Sequence, residues 1–264
     1  MLETREANLQ VVTGMMAVGK SYTTLNKIIA EYISGIEPRK VLIYDVNMEY
    51  AQFKTIALKD VKRFTMQKQV EVRRVVPRLE DGTIANIDQM MLILNEILVS
   101  FAGGLLLLED INKYMIGTQN KEIISSLCTV RHKDLDIIIH LQSLSAVTTR
   151  MFQNCKVIRF HKQEDPIDRY FDRIPNTEIL KIAQILVDTQ YENGNTRFYC
   201  YVSSQDRYIR GMFSKAAFKQ ACEKYTIRYS PELKFYLKEM GKGGEVRQKA
   251  INRVVDELVV KYYR

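Results

Sequence analysis

The sequence predicts an α/β protein built on a mainly parallel sheet flanked by helices, with a small helical domain at the C-terminus. Three observations predict it. Short, continuous apolar runs alternate with segments of helical period over most of the 264 residues, the pattern of strands covered on both faces and joined through helices. The stretch GMMAVGKS, Gly14 to Ser21, sits between the first such run and the first helical segment. After residue 213 the chain turns helical and strongly basic.

Taken in order, the apolar runs place strands at 9–13 (LQVVT), 40–45 (KVLIYD), 104–109 (GLLLLE), 136–141 (DIIIHL) and 156–160 (KVIRF). Between them, Leu25, Ile28, Ile29, Tyr32 and Ile33 form one helical stripe, and Ile84, Ile87, Met91, Leu94 and Leu98 form another. Beyond Asp165-Pro166 come two further helical segments. TRFYCYV near 196–202 and RYIRGMF near 207–213 then read as a closing hairpin. The core domain is expected to span 1–213. From Ser214 to Arg264 three helices are predicted, broken at Ser230-Pro231 and at Gly241-Lys242-Gly243-Gly244. The last helix carries Val246, Ala250, Ile251, Val254, Leu258 and Tyr262 on one face, leaving a basic face opposite.

Composition narrows the function classes. No apolar run approaches the roughly 20 residues that cross a bilayer, so no membrane partner is expected. The opening MLETREANLQ has no export-signal core, which makes the cytoplasm the expected location. Cys128, Cys155, Cys200 and Cys222 are scattered, as are His132, His140 and His161, so neither a disulfide framework nor a metal cluster is indicated. The net charge is +8. Between Arg207 and Arg264 stand 14 basic and 6 acidic residues, which accounts for the whole excess. A second basic cluster comprises Lys54, Lys59, Lys62, Arg63, Lys68, Arg73, Arg74 and Arg78. Such clusters attract polyanions, although a solvated surface also carries runs of this kind.

The candidate chemistry begins at the glycine-rich loop. A turn from strand to helix presents successive backbone N–H groups to phosphate oxygens, and glycines let the backbone approach closely. Gly14, Met15, Met16, Ala17, Val18 and Gly19 form this loop, with Lys20, Ser21 and Tyr22 following. Lys20 suits the β and γ phosphates of ATP, and the Ser21 hydroxyl suits Mg2+. Glu109 and Asp110 close the most apolar strand, where a metal-holding and a water-polarising carboxylate are needed. The usual order is Asp then Glu, so register puts Glu109 on the metal side and Asp110 in the catalytic place, with the reverse assignment open. Asp45 and Glu49, in YDVNMEYAQF, fall at the carboxyl edge of the second strand, where ligands bind in open α/β sheets. Gln142 falls at the same edge of the fourth, either as a γ-phosphate sensor or as a surface amide. Arg131, in TVRHKDLD, is badly placed for its own subunit's phosphates and suits a neighbour's, as an arginine finger; a helix-terminal arginine held by the dipole is the structural alternative.

Together the phosphate loop, YDVNMEY, LLLLED, the Arg131 to Gln142 spacing and FHKQEDPIDRYF resemble the HerA/FtsK superfamily, and within it the small ATPases that package viral genomes. The resemblance covers about residues 8–175. It implies a RecA-like core of the additional-strand (ASCE) type and hydrolysis between subunits of a pentameric or hexameric homo-oligomeric ring, with Arg131 reaching across. It also implies double-stranded DNA in the central channel and a procapsid portal as partner. Lys54, Lys113 and Lys121 are the candidate DNA contacts, and the basic tail suits portal or DNA docking. The tail has too few carboxylates for a nuclease. Competing readings are a HerA-like helicase or conjugative pump, a membrane-anchored filamentous-phage assembly protein, and a stand-alone small-molecule kinase or signalling NTPase.

Overall fold

The computed structural model describes residues 8–79, 81–111, 127, 134–167, 176–240 and 243–264. The chain divides into two compact units, 1–156 and 157–264. Residues 214–264 fall in the second unit with the helix and hairpin that precede them.

The first unit holds strands β1 (Leu9–Thr13), β2 (Lys40–Tyr44), β3 (Lys54–Thr55), β4 (Val72–Val75), β5 (Gly104–Leu108) and β6 (Asp136–Leu141). Within it they lie in the order β3-β4-β2-β5-β6-β1, and every ladder among them is parallel. Strand β6 thus separates β1, which leads into the glycine-rich loop, from β5, which leads into Glu109 and Asp110. Asp45 and Glu109 fall one residue beyond the strands that deliver them.

Helix α1 (Lys20–Thr23) continues through a π-helical stretch, Thr24–Ile29, into α2 (Ala30–Ser34). Its stripe of Leu25, Ile28, Ile29, Tyr32 and Ile33 packs on Val12, Val41, Ile43, Leu105, Leu107 and Ile138. Burying each large aliphatic side chain contributes about 1.5–3 kcal/mol, so this seam fixes the helix that follows the loop. Helix α3 (Val61–Met66) is tied to the sheet by Lys40, whose ammonium donates to the carbonyls of Thr65 and Gln67. Desolvation lowers the Lys40 pKa against the opposing pull of Glu71.

Helix α4 (Ile87–Ser100) starts at a capping box in which Asn86 and Gln89 satisfy each other's backbone N–H groups, as the spacing requires. Met91, Leu94, Ile97 and Leu98 form its buried face. Ile84 precedes the helix and is exposed, as is Ile87. The stripe read from the sequence is therefore shifted by one turn, because the cap and not the apolar period sets the start.

Two strands escaped the sequence pattern. β4 reads VRRV and β3 only KT; β3 is the edge strand, where charged side chains are tolerated, and β4 lies between β3 and β2 with its arginines paired to Glu71 and Asp45. Helix α5 (Thr149–Asn154) ends the unit, capped by the Thr148 hydroxyl.

The second unit contains β7 (Val157–His161), α6 (Thr177–Glu192), β8 (Tyr199–Ser203), β9 (Tyr208–Gly211), α7 (Lys215–Tyr229), α8 (Pro231–Met240) and α9 (Gly244–Tyr262). β8 pairs antiparallel with both β7 and β9, which is the expected hairpin. The tail helices break at Ser230-Pro231 and around Gly243 as the turn residues dictate. The α9 stripe of Ala250, Ile251, Val254, Leu258 and Tyr262 is buried. No helix among the described residues is long and apolar enough to cross a membrane. Cys155, Cys200 and Cys222 are buried free thiols.

Candidate functional site

Parallel strands align their carboxyl ends, so the residues that follow β1, β2, β5 and β6 converge on one edge of the first unit. The glycine-rich loop is hooked to it by the Gly14 amide, which donates to the Leu141 carbonyl at 3.3 Å. Two loop residues take left-handed backbone: Ala17 at φ 61° and Gly19 at φ 85°, immediately before α1. Glycine adopts this conformation freely. An alanine pays about 1 kcal/mol or more, strain of the kind that collects at ligand-holding turns. The Lys20 ammonium curls over the loop and donates to the carbonyls of Gly14 and Met15, at 2.5 and 2.7 Å. Met15 and Ser21 are half-buried, Val18 is buried, and Met16, Ala17 and Tyr22 are exposed.

The two carboxylates after β5 have different surroundings. Alternation along GLLLLE puts Glu109 on the same face as Leu105 and Leu107, beneath the helix that follows the loop. There it is almost fully buried. It accepts from the Tyr50 hydroxyl and lies 2.8 Å from Nδ1 of His140. The other ring nitrogen of His140 lies 2.8 Å from the Thr24 hydroxyl, which donates to the Lys20 carbonyl at 3.1 Å. Asp110 is only half-buried, takes left-handed backbone at φ 44°, and accepts from the Asn47 amide at 2.8 Å.

Asp45 is wholly buried. One carboxylate oxygen accepts from the Glu49 amide at 2.9 Å; the other accepts from the Tyr50 amide at 3.2 Å and from the Arg74 guanidinium at 2.7 Å. Both oxygens thus fold the turn that carries Asn47 and Tyr50. Glu49 itself is exposed, as is Gln142 just past β6. Lys54 is exposed on the edge strand β3, whereas Arg73 pairs with Glu71 and Arg74 with Asp45. Arg131, Lys113 and Lys121 lie outside the described residues.

Sequence reading missed the Tyr50–Glu109–His140–Thr24 chain. Its only signal was an imidazole inside IIIHL, a strand otherwise apolar at its centre; nothing local says what the ring touches.

No protein-family model and no curated protein sequence matches the chain. Solved structures do. The DNA-packaging ATPase B204 of Sulfolobus turreted icosahedral virus aligns with a TM-score of 0.55 at 12% identity, covering 78% of this chain and 97% of that one. The genome packaging NTPase B204 of Sulfolobus turreted icosahedral virus 2, in complex with sulfate, gives 0.51 at 16% identity, covering 77% and 95%. The same protein in complex with AMP gives 0.49 at 15% identity, covering 80% and 99%. The chain has the RecA-like P-loop ATPase fold of these viral packaging NTPases.

Proposed function

We propose that this chain is the ATP-hydrolysing subunit of a ring-shaped motor that drives double-stranded DNA into a viral procapsid. One observation carries the reading: a left-handed, lysine-bearing loop lies two strands from a pair of carboxylates at the carboxyl edge of a sheet with the packaging-NTPase fold.

The residues fit a magnesium nucleotide. Loop N–H groups and Lys20 suit the phosphates, and Lys20 would leave the Gly14 and Met15 carbonyls to reach them. Hard oxygen donors suit magnesium, and Ser21 and Asp110 offer them at half-buried positions. Glu109 is held from behind by Tyr50 and His140. We therefore assign Asp110 the work at the metal and the attacking water, and Glu109 a supporting place, which departs from the sequence-based order. Magnesium, when bound, offsets the phosphate charge as the γ-phosphoryl group leaves. Asp110 then orients the water, Gln142 reads the γ-phosphate, and Arg131 of a neighbouring subunit stabilises the charge of the transition state.

DNA would be tracked through its backbone by Lys54, Lys113 and Lys121, with sequence-independent, salt-sensitive affinity. The helices of 214–264 would dock on a portal. The work would be done in the cytoplasm of the host.

The test is hydrolysis measured with and without duplex DNA, alongside mass in solution with and without an ATP analogue. Lys20→Ala should abolish binding. Asp110→Asn should keep binding and lower kcat by about 10²-fold, the loss typical of one preorganised polar group. Arg131→Ala subunits should recover activity only beside subunits that retain the arginine. A monomer that turns over at full rate, indifferent to DNA and to assembly, would remove the motor reading.

A further inference from the structure

We propose that His140 is a positioning residue that locks the acidic strand end to the helix carrying Lys20, so that the carboxylates and the phosphate loop move as one body during hydrolysis. The proposal rests on the reading that nucleotide is cut at this edge.

Strand β6 is buried at every residue. Within it, Ile137, Ile138, Ile139 and Leu141 need only packing, and a leucine in place of His140 would meet that need. An imidazole there must recover the hydrogen bonds it loses on leaving water, a debt of several kcal/mol if unmet. Nε2 makes a hydrogen-bond contact of 2.8 Å with Thr24 after α1, and Nδ1 lies 2.8 Å from Glu109 after β5, an ion-pair distance outside hydrogen-bond geometry. Thr24 and His140 are fully buried, and Tyr50 and Glu109 nearly so. Water cannot substitute for any link without opening the core.

The far end of the chain is informative. The Thr24 hydroxyl donates to the Lys20 carbonyl and lies 2.8 Å from Nε2 of the imidazole. The Thr24 hydroxyl therefore couples the first turn of the helix to the ring. Thr24 also opens the π-helical stretch, where the ladder is already widened and such local irregularities accompany functional sites. A shift of α1 as Lys20 engages phosphate is thereby felt at Glu109, one residue from Asp110. Tyr50 closes the other end of the chain, and its amide is held by Asp45.

His140→Leu and Thr24→Val both keep volume and remove the bridge. Each is expected to bind a fluorescent ATP analogue within about threefold of wild type while kcat falls at least tenfold, a split that a packing defect alone would not give. The double variant should be no slower than the worse single one, because both cut the same link. His140→Asn, which retains a polar group near Nδ1, should recover part of the loss. Wild-type turnover and its loss in Lys20→Ala test the underlying ATPase reading separately. With that reading intact, a His140→Leu or Thr24→Val enzyme within twofold of wild-type kcat, or additive losses in the double variant, would overturn the proposal. If His140→Leu does not fold, Thr24→Val decides alone.

Discussion

Replacing Asp45 with alanine separates two roles that the sequence cannot tell apart. At the carboxyl edge of β2 an aspartate reads as a nucleotide contact, yet in the structure both its oxygens are spent inside the protein. The substitution removes the carboxylate partner of Arg74, whose side chain is only 15% exposed, and takes the Asp45 acceptor away from the Glu49 and Tyr50 amides. Breaking a buried pair by deleting one member costs about 3–5 kcal/mol, and an orphaned buried amide costs about 1–3 kcal/mol. These losses overlap, because the turn can open to water. A net cost of about 3–5 kcal/mol is expected against a total stability of about 5–15 kcal/mol. Asp45→Asn keeps one acceptor and should lose about 2 kcal/mol. The assay is urea unfolding followed by far-ultraviolet circular dichroism, with hydrogen exchange of the Glu49 and Tyr50 amides as the local reading. Those amides should exchange much faster in Asp45→Ala, and Arg74→Met should be strongly non-additive with it. A variant that unfolds within about 0.5 kcal/mol of wild type, keeps both amides protected and loses tenfold in nucleotide affinity would refute the structural role.

Two further outcomes are expected. A methyl group on Gly104 would stand 2.6 Å from the Lys40 carbonyl oxygen and 2.8 Å from the Phe101 ring, so Gly104→Ala should cost about 1–3 kcal/mol by overpacking. Gly103→Ala, with open space but φ 66°, should lose only the left-handed penalty of about 1 kcal/mol; equal losses in the two would contradict the clash. In the second unit, burial and then the hydrogen bond to Glu178 push the Tyr262 phenol up to about 12 from the ordinary 10.0. A raised folded pKa means that the stability it contributes is whole below pH 10 and drains away as pH rises towards 12. Tyrosine NMR should show Tyr262 titrating late, and Glu178→Gln should bring it earlier.

The backbone of the site was legible because its signals are local. A continuous apolar run marks a strand buried on both faces, as in Leu105 to Leu108, and a glycine before Lys20 permits the left-handed step that opens α1. Pro231 ends the helix before it by its own covalent geometry. VRRV failed as a strand signal for the opposite reason. β4 lies between β3 and β2, and what makes its Arg74 acceptable is the buried Asp45 carboxylate 29 residues away, which no local window of the sequence contains.

The sequence by itself determined the central strands, the helices and the glycine-rich loop, since each depends on residues a few positions apart. Only the tertiary structure decided which polar groups share a partner. Asp45 meets Arg74 across 29 residues, Tyr50 meets Glu109 across 59, and Thr24 meets His140 across 116. Those meetings follow from the strand order, with β2 between β4 and β5 and β6 between β5 and β1. They turn one conspicuous acidic residue inward, to bind the scaffold together, and leave its neighbour Asp110 half-exposed at the edge where the loop lies. A buried carboxylate and a solvent-reachable one differ by their surroundings and not by their letters, so no reading of LLLLED alone could have ranked them.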